Sequence, residues 1–218
     1  MSSLGGRKII VTAGPTIEAI DPVRFLSNRS SGKQGYLIAE ILAECGADVR
    51  LISGPTCMPC PSGVKRLEIE SARDMLAAVE SELPAFAFIA VAAVSDWRPA
   101  AFHALKAGKS ALLSPLDLVE NPDILKSVSN HETKRPELVI GFAAETHDLQ
   151  ERARAKRLRK GCDWIIANDV SGDVMGGDEN AATLIAADTE IEWPRSTKRE
   201  IAVKLTDAMD AWCVNHDT

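Results

Sequence analysis

Short apolar runs alternate with longer segments of mixed polarity along most of this 218-residue chain. The runs are rich in β-branched and small apolar residues, which is typical of strands buried on both faces of a parallel sheet. Strands are predicted over 8–12, 49–52, 64–69, 86–94, 138–143 and 164–167. The segments between them repeat apolar residues at helical spacing. Helices are predicted over about 30–46, 72–83, 122–128, 149–159 and 197–212.

The order of these elements indicates the class of fold. Strands that alternate with helices imply right-handed crossovers. We therefore expect an α/β fold, a doubly wound Rossmann-like three-layer sandwich with a mostly parallel sheet. The first helix should have Ser30 or Ser31 as its N-cap and Gly46 as its stop.

Two stretches interrupt the alternation. Residues 97–120 are too extended for an ordinary connection, and residues 183–193 predict a hairpin that turns near Asp188 and Thr189. We expect residues 1–218 to form a single domain in which both stretches serve as flaps or as arms of a homodimer.

The composition limits the classes of partner that the chain is expected to bind. The net charge is -6 and the isoelectric point is about 5.3, so the whole chain should not attract nucleic acid or an anionic membrane. No apolar run approaches the roughly 20 residues of a membrane helix, and the start lacks a signal-peptide layout. We expect a cytoplasmic protein that binds neither nucleic acid nor membrane.

The five cysteines are spread through the chain and do not form a disulfide pattern. Cys57 and Cys60 have the C-x-x-C spacing, but they lie in a Gly/Pro-rich loop and lack the second pair that a zinc site needs. Redox or metal function at this pair is disfavoured.

Polar residues follow the predicted strands, where ligands of doubly wound folds bind. Asp96 follows a buried strand directly and is the best single candidate for a contact to a ligand or to a Mg2+ shell, with a turn cap as the alternative. The segment Ser30–Gly35 opens a helix and could present backbone N–H groups to a phosphate, or could be an ordinary capped helix. It is not a Walker A loop, and the first turn lacks the G-x-G-x-x-G pattern of dinucleotide enzymes.

The helix predicted over 149–159 is strongly basic in an otherwise acidic chain. Arg152, Lys156 and Lys160 are spaced by four and share one face. Cations on a helix are usually solvated, but a row of them beside a strand end would suit a triphosphate. We favour that role for Lys156 and Lys160.

Six motifs in order resemble the phosphopantothenoylcysteine synthetases, the ligases of coenzyme A biosynthesis. The first is the segment 12–33, Thr-Ala-Gly-Pro-Thr-Ile-Glu-Ala-Ile-Asp-Pro-Val-Arg-Phe-Leu-Ser-Asn-Arg-Ser-Ser-Gly-Lys. The others are the segments 92–98, 121–124, 141–146, 156–160 and 167–170. The resemblance implies that the carboxylate of 4'-phosphopantothenate attacks the α-phosphate of CTP to give an acyl-cytidylate and pyrophosphate. The amine of cysteine then displaces CMP, with Mg2+ accompanying the nucleotide.

The resemblance also implies roles for individual positions. Asn28 would be catalytic, holding phosphopantothenate and stabilising the acyl-nucleotide. The substrate-binding set would be Arg24, Asn28, Ser30, Ala92 and Ala93. The nucleotide-binding set would be Gly14, Ser30, Gly32, Gly35, Ala92, Asp96, Lys106, Pro122, Asp123, Ile124, Leu125, Phe142, Lys156 and Lys160.

The family carries a Lys-x-Lys-Lys strand on a dimer arm, and the corresponding stretch here is Lys106-Ala-Gly-Lys109. The resemblance makes Lys106 the catalytic cation and Lys109 its neighbour, while Gly108 departs from the pattern. Many bacterial relatives also carry an N-terminal flavin decarboxylase. The synthetase motif begins about a dozen residues from Met1, so we expect no flavin.

Two other classes of function stay open at this point. An NAD(P)-dependent oxidoreductase on the same fold should show a Gly-rich first turn and a Tyr/Lys pair, whereas the only tyrosine is Tyr36. A nucleotide-sensing domain without chemistry would have no use for a lysine arm. Bacterial likeness favours CTP, whereas the eukaryotic relatives use ATP.

Overall fold

The computed structural model describes residues 2–106, 108, 115–145, 148–169 and 179–216. The strands in these ranges are β1 Lys8–Ala13, β2 Ile17–Ala19, β3 Phe25–Ser27, β4 Asp48–Ser53, β5 Lys65–Glu68, β6 Ala87–Ala90, β7 Trp97–Pro99, β8 Leu118–Glu120, β9 Leu138–Glu145, β10 Trp164–Asp169, β11 Glu179–Ile185 and β12 Glu190–Thr197. The helices are α1 Lys33–Glu44, α2 Ala72–Glu82, α3 Ile124–Ser129, α4 Leu149–Lys160 and α5 Lys198–His216.

An eight-stranded sheet with the order β12-β11-β10-β9-β6-β1-β4-β5 forms the centre of the molecule. The strands from β10 to β5 pair in parallel, and β11 and β12 extend one edge antiparallel. Two small antiparallel pairs, β2 with β3 and β7 with β8, lie outside it. The predicted Rossmann-like fold with a mostly parallel sheet is confirmed.

The sheet separates two apolar layers. Ile9, Val11 and Leu51 project into one core with α1 and α5, whereas Ile10 and Phe88 project into the other with α2, α3 and α4. This alternation follows from the period of two along each strand and explains why both strand faces are apolar in sequence. The three-layer prediction is confirmed, with α5 beside α1 on a face of the sheet. Among the described residues, no helix is long and apolar enough to cross a membrane.

Two predicted elements need correction. The run 86–94 was expected to be one strand, but β6 ends at Ala90. The side-chain oxygen of Thr12 accepts hydrogen bonds from the backbone N–H groups of Val91 and Ala92, both at 3.3 Å, and so diverts the chain from the sheet ladder.

The 183–193 segment does turn at the predicted place, with a hydrogen bond from the Ala186 N–H to the Thr189 carbonyl. It is not an excursion, because its strands β11 and β12 belong to the main sheet. They are also longer than the predicted hairpin, since β11 and β12 pair from Glu179 and Thr197 to Ile185 and Glu190.

Candidate active site

The strand order reverses between β1 and β6. The chain proceeds from β1 to β4 and β5 on one side, and from β6 to β9 and β10 on the other. Helices that follow strands on opposite sides of such a switch point leave a crevice at the carboxyl ends of the strands. The carboxyl ends of β1, β6, β9 and β10 therefore define the place to look for a ligand.

The chain just after β6 is held in this crevice by backbone hydrogen bonds to the turn after β1. The Ala93 N–H donates to the Gly14 carbonyl at 2.9 Å, and the Ala93 carbonyl accepts from the Thr16 N–H at 3.3 Å. The Asn28 side-chain amide donates to the same Ala93 carbonyl at 3.2 Å. Asn28 and Ala93, both predicted as substrate-binding residues, are thus brought together.

The first cavity, of about 350 Å3, opens between the ends of β1, β6 and β9 and the start of α3. It contains every predicted nucleotide residue from Pro122 to Leu125, together with Asp96. Its other lining residues are Thr12, Ala90, Ala92, Val94, Ser95, Trp97, Glu120, Asn121, Phe142, Lys156 and Lys160. A concave chamber that combines apolar walls with several polar and charged groups is the usual form of a small-molecule site.

The second cavity, of about 450 Å3, adjoins the first and is lined by the start of α1 and by Asn28. Its cationic side chains are Arg29, Lys33, Lys156 and Lys198, and no described residue of its lining is a carboxylate. In a protein with a net charge of -6, this concentration of positive charge is local and favours an anionic ligand.

The two cavities share a wall made of Ala92, Val94, Phe142 and Lys156. The ammonium group of Lys156 donates to the Phe142 carbonyl at 2.9 Å, which holds the cation at the boundary. A ligand that spans both chambers must pass this lysine. The predicted role of Lys156 beside a triphosphate agrees with that position.

The start of α1 differs from the predicted capped helix. Gly32, with φ of 76°, is the N-cap, and no side chain caps the helix. The hydroxyl of Ser30 instead accepts from the Gly32 N–H at 3.3 Å. The left-handed conformation favours glycine by itself, and an ideal Cβ there would in addition lie 2.8 Å from the Thr56 Cγ2 atom and 3.3 Å from the Gly14 nitrogen. Ser30, Gly32 and Gly35 all line the second cavity, where the helix dipole favours negative charge.

Lys160 lines the first cavity as predicted and is paired there with Asp123. The Asp123 carboxylate also accepts from the Lys126 N–H at 3.1 Å and so caps α3. One carboxylate therefore orients both a helix end and a cavity lysine. Arg152, on the same face of α4, is exposed and lines neither cavity.

Three predicted site residues lie outside both cavities. Arg24 pairs with the buried carboxylate of Asp21 at 2.5 Å. Gly14 packs against the backbone of Gly54 and forms part of the turn after β1. Lys106 is exposed, and the predicted neighbour Lys109 lies outside the described residues.

Polar residues outside the predicted binding sets also line or support the cleft. The Asn121 side-chain amide donates to the Ser95 carbonyl at 2.8 Å and so fixes the chain that carries Asp96. Asn168 and Asn180 line the second cavity, and within the described part of the chain their side-chain oxygens are buried without a hydrogen-bond partner. Asn121 and Asn168 lie in family motifs, and Asn168 also follows a predicted strand, whereas Asn180 is brought to the cavity by β11, which pairs antiparallel with β10 and β12.

No dedicated metal cage occurs in the described ranges, where no group of three or more His, Cys, Asp or Glu side chains converges. Asp96 and Asp123 are carboxylates of the first cavity, and carboxylate oxygens are ligands that Mg2+ prefers. Mg2+ commonly binds through one or two carboxylates together with substrate phosphates. The residues present fit that mode.

Fold and cleft together define a doubly wound α/β protein whose ligand site lies at the switch point of the sheet. A family model described as the DNA/pantothenate metabolism flavoprotein C-terminal domain matches residues 4–212. The chain belongs to this family.

Comparison with individual relatives leads to the same family. The Coenzyme A biosynthesis bifunctional protein CoaBC of Vibrio cholerae is 42% identical over 204 residues, which are 91% of this chain and 51% of that protein. The chain thus spans about half the length of the curated relatives it matches. The crystal structure of the C-terminal domain of a CoaBC protein covers 99% of this chain and 100% of its own, with 38% identity and a TM-score of 0.84.

A more distant structure, a Cab2 mutant in complex with phosphopantothenate-cysteine, covers 97% of this chain and 88% of its own. It has a TM-score of 0.75 at 15% identity. The likeness at that identity shows a common fold.

Proposed function

We propose that this chain is a phosphopantothenate–cysteine ligase of coenzyme A biosynthesis, acting in the cytoplasm, with CTP as the activating nucleotide. Its family and the CoaBC relatives support the pathway. The observation that carries the reaction is the pair of adjoining cavities, one with apolar walls beside charged groups and one cationic, that meet at Ala92 and Lys156.

The first cavity would take the cytidine. Its apolar walls at Pro122, Ile124, Leu125 and Phe142 suit a base. The triphosphate would then extend along Lys160 and Lys156 into the second cavity, where the start of α1 and the remaining cations neutralise its charge. Mg2+ would enter with the triphosphate and offset its charge.

The carboxylate of phosphopantothenate would lie in the second cavity beside Asn28 and Ala93. One carboxylate oxygen forms a bond to the α-phosphorus of CTP, the bond from that phosphorus to the bridging oxygen breaks, and pyrophosphate leaves. The amine nitrogen of cysteine then bonds to the acyl carbon, CMP leaves with the acyl–oxygen electron pair, and the amine gives up its proton. Such a reaction depends chiefly on positioning and charge stabilisation, which a preorganised cleft supplies.

Asn28 is suited to hold the acyl-nucleotide because its side-chain amide already points into the cleft at the Ala93 carbonyl. Lys106, unlike Asn28, does not lie in the cleft. It lines neither cavity, so a catalytic role requires the 97–120 segment to approach the cleft or a second copy of the chain to supply it.

A homodimer would meet that requirement. Val23, Phe25, Phe102 and Leu105 are exposed on the β2–β3 turn and on the 97–120 segment. These two regions are connected by a hydrogen bond from the His103 N–H to the Ile20 carbonyl at 2.9 Å. Exposed apolar groups on adjacent segments commonly mark an interface. Sedimentation of the wild type should show a dimer that Phe102→Asp weakens; a wild-type monomer at micromolar concentration would refute this part of the proposal.

The decisive experiment incubates the protein with phosphopantothenate, Mg2+ and either CTP or ATP, with and without cysteine. We expect pyrophosphate and CMP with CTP, and amide product when cysteine is added. Turnover with ATP alone would correct the nucleotide, and no nucleotide-dependent release would refute the ligase.

The Lys106→Ala variant separates a ligase from a nucleotide sensor. The ligase predicts loss of turnover with CTP binding retained. Unchanged turnover would remove Lys106 from the catalytic set.

A further inference from the structure

Thr56 lies behind the cationic second cavity, in the loop after β4. It is half-buried and lines a separate cavity of about 290 Å3 together with Tyr36, Ser53 and Arg66. It touches neither of the two cavities assigned to ligands. Its methyl group and its hydroxyl make different contacts, which can be separated by substitution.

The methyl group fills a notch between two glycine turns. An ideal Cβ would lie 2.9 Å from the Thr56 Cγ2 atom if placed on Gly14, and 2.8 Å from it if placed on Gly32. Both glycines have positive φ, 75° and 76°. The methyl group therefore packs on the turn that ends β1 and on the turn that begins α1 at the same time.

The hydroxyl attaches Thr56 to the first turn of α1. It donates to the Tyr36 hydroxyl at 3.1 Å, and the Tyr36 hydroxyl donates to the Ser53 hydroxyl at 3.0 Å. The Tyr36 oxygen also accepts from Arg66 at 3.3 Å. Because Tyr36 keeps Ser53 and Arg66 as partners, loss of the Thr56 hydroxyl would not release it. The methyl group is the part of Thr56 that packs directly against Gly14 and Gly32.

We infer that Thr56 is a positioning residue for phosphate binding, because its methyl group packs on both the Gly14 turn and the start of α1, whose residues Gly32 to Gly35 line the second cavity. This inference rests on the proposed nucleotide site. Charge-stabilising groups act only when they are aligned with the phosphate, and displacement of about 1 Å can reduce rates by about 100-fold. A neighbour that keeps the turn in place therefore affects affinity without touching the ligand.

Two matched variants test the inference. Thr56→Ser keeps the hydroxyl and removes the methyl group, whereas Thr56→Val keeps a methyl group in the notch and removes the hydrogen bond. We expect Thr56→Ser to raise the KM for CTP about fivefold and to lower the melting temperature by no more than about 2–4 °C. We expect Thr56→Val to lower the melting temperature and leave the KM within about twofold of wild type. The kcat at saturating CTP should stay near wild type in both.

Binding of inorganic pyrophosphate, followed by titration calorimetry, makes the test independent of turnover. The dissociation constant should rise about fivefold in Thr56→Ser and stay unchanged in Thr56→Val. Equal KM and pyrophosphate affinity in Thr56→Ser and wild type would overturn the inference, as would equal impairment of both variants or no pyrophosphate binding by the wild type. If the wild type lacks ligase activity but the pyrophosphate pattern holds, the proposed function fails and the positioning role stands.

Discussion

Gly35 on α1 packs directly against Ala13 on β1, which gives a sharp test of the geometry. An ideal Cβ on Gly35 would lie 2.6 Å from the Ala13 Cβ and 3.2 Å from the Thr12 carbonyl oxygen. Carbon atoms in contact prefer about 3.5–4.0 Å. Gly35→Ala should therefore push α1 away from β1 by roughly 1 Å.

The effects on stability and on activity should differ in size. Overpacking of this kind costs about 1–3 kcal/mol, and replacing a helical glycine with alanine returns about 1 kcal/mol. A net loss of about 1 kcal/mol lowers the melting temperature of a protein this size by about 2–4 °C. The same shift displaces the N–H groups of α1 from the second cavity, for which about a 100-fold loss of kcat/KM is the expected upper end.

Pyrophosphate release with CTP, measured beside a thermal melt, checks both numbers. Gly5→Ala is the matched control because an added Cβ there meets only the Ser2 carbonyl oxygen at an ordinary 3.4 Å. Adding Ala13→Gly to Gly35→Ala removes the worst clash and should restore activity without raising stability, since glycine weakens a strand. Wild-type kcat/KM in Gly35→Ala, or no recovery in the double variant, would refute the reasoning.

Three further predictions follow from single side chains. Asn28→Asp should retain CTP binding and lose amide formation, because a carboxylate cannot donate to the Ala93 carbonyl; unaltered turnover would contradict this. Lys156→Met should raise the KM for CTP about tenfold, because it removes the cation between the cavities. The control Arg159→Met, on the exposed face of α4, should leave the KM unchanged. Equal effects of the two variants would argue against a specific role of Lys156. Burial raises the pKa of the Cys162 thiol from 9.0 to about 11. The folded state therefore favours the protonated thiol, and its contribution of about 3 kcal/mol is present below pH 9 and is lost as the pH rises through 11. Denaturant unfolding between pH 8 and 11 should show this loss in the wild type and a smaller one in Cys162→Ala, and equal slopes would refute the assignment.

Much of the fold could be predicted from the sequence because its signals are local. Uninterrupted apolar runs identified β1, β9 and β10 to within one or two residues, and Gly46 marked the end of α1. The end of β6 could not be predicted, because it depends on the side chain of Thr12 in a different strand. The antiparallel placement of β11 was missed for the same kind of reason, since strand pairing joins distant parts of the chain.

The candidate site divides in the same way. Residues in contiguous motifs, such as Pro122–Leu125 and Lys156, were predicted and do line the cleft. Arg24 was predicted to bind substrate because it lies in a family motif. In this structure its guanidinium forms an ion pair with the buried carboxylate of Asp21.

The sequence by itself determined the class of fold, the family and the motifs that carry chemistry, because periodicity, turn residues and short motifs are properties of neighbouring positions. Only the tertiary structure decided that the motifs form two cavities sharing one lysine, that Asn180 joins the second cavity, and that Thr56 packs on the two glycine turns. These features depend on distances of a few ångströms between residues far apart in the chain. Such distances are set by how helices and strands pack together.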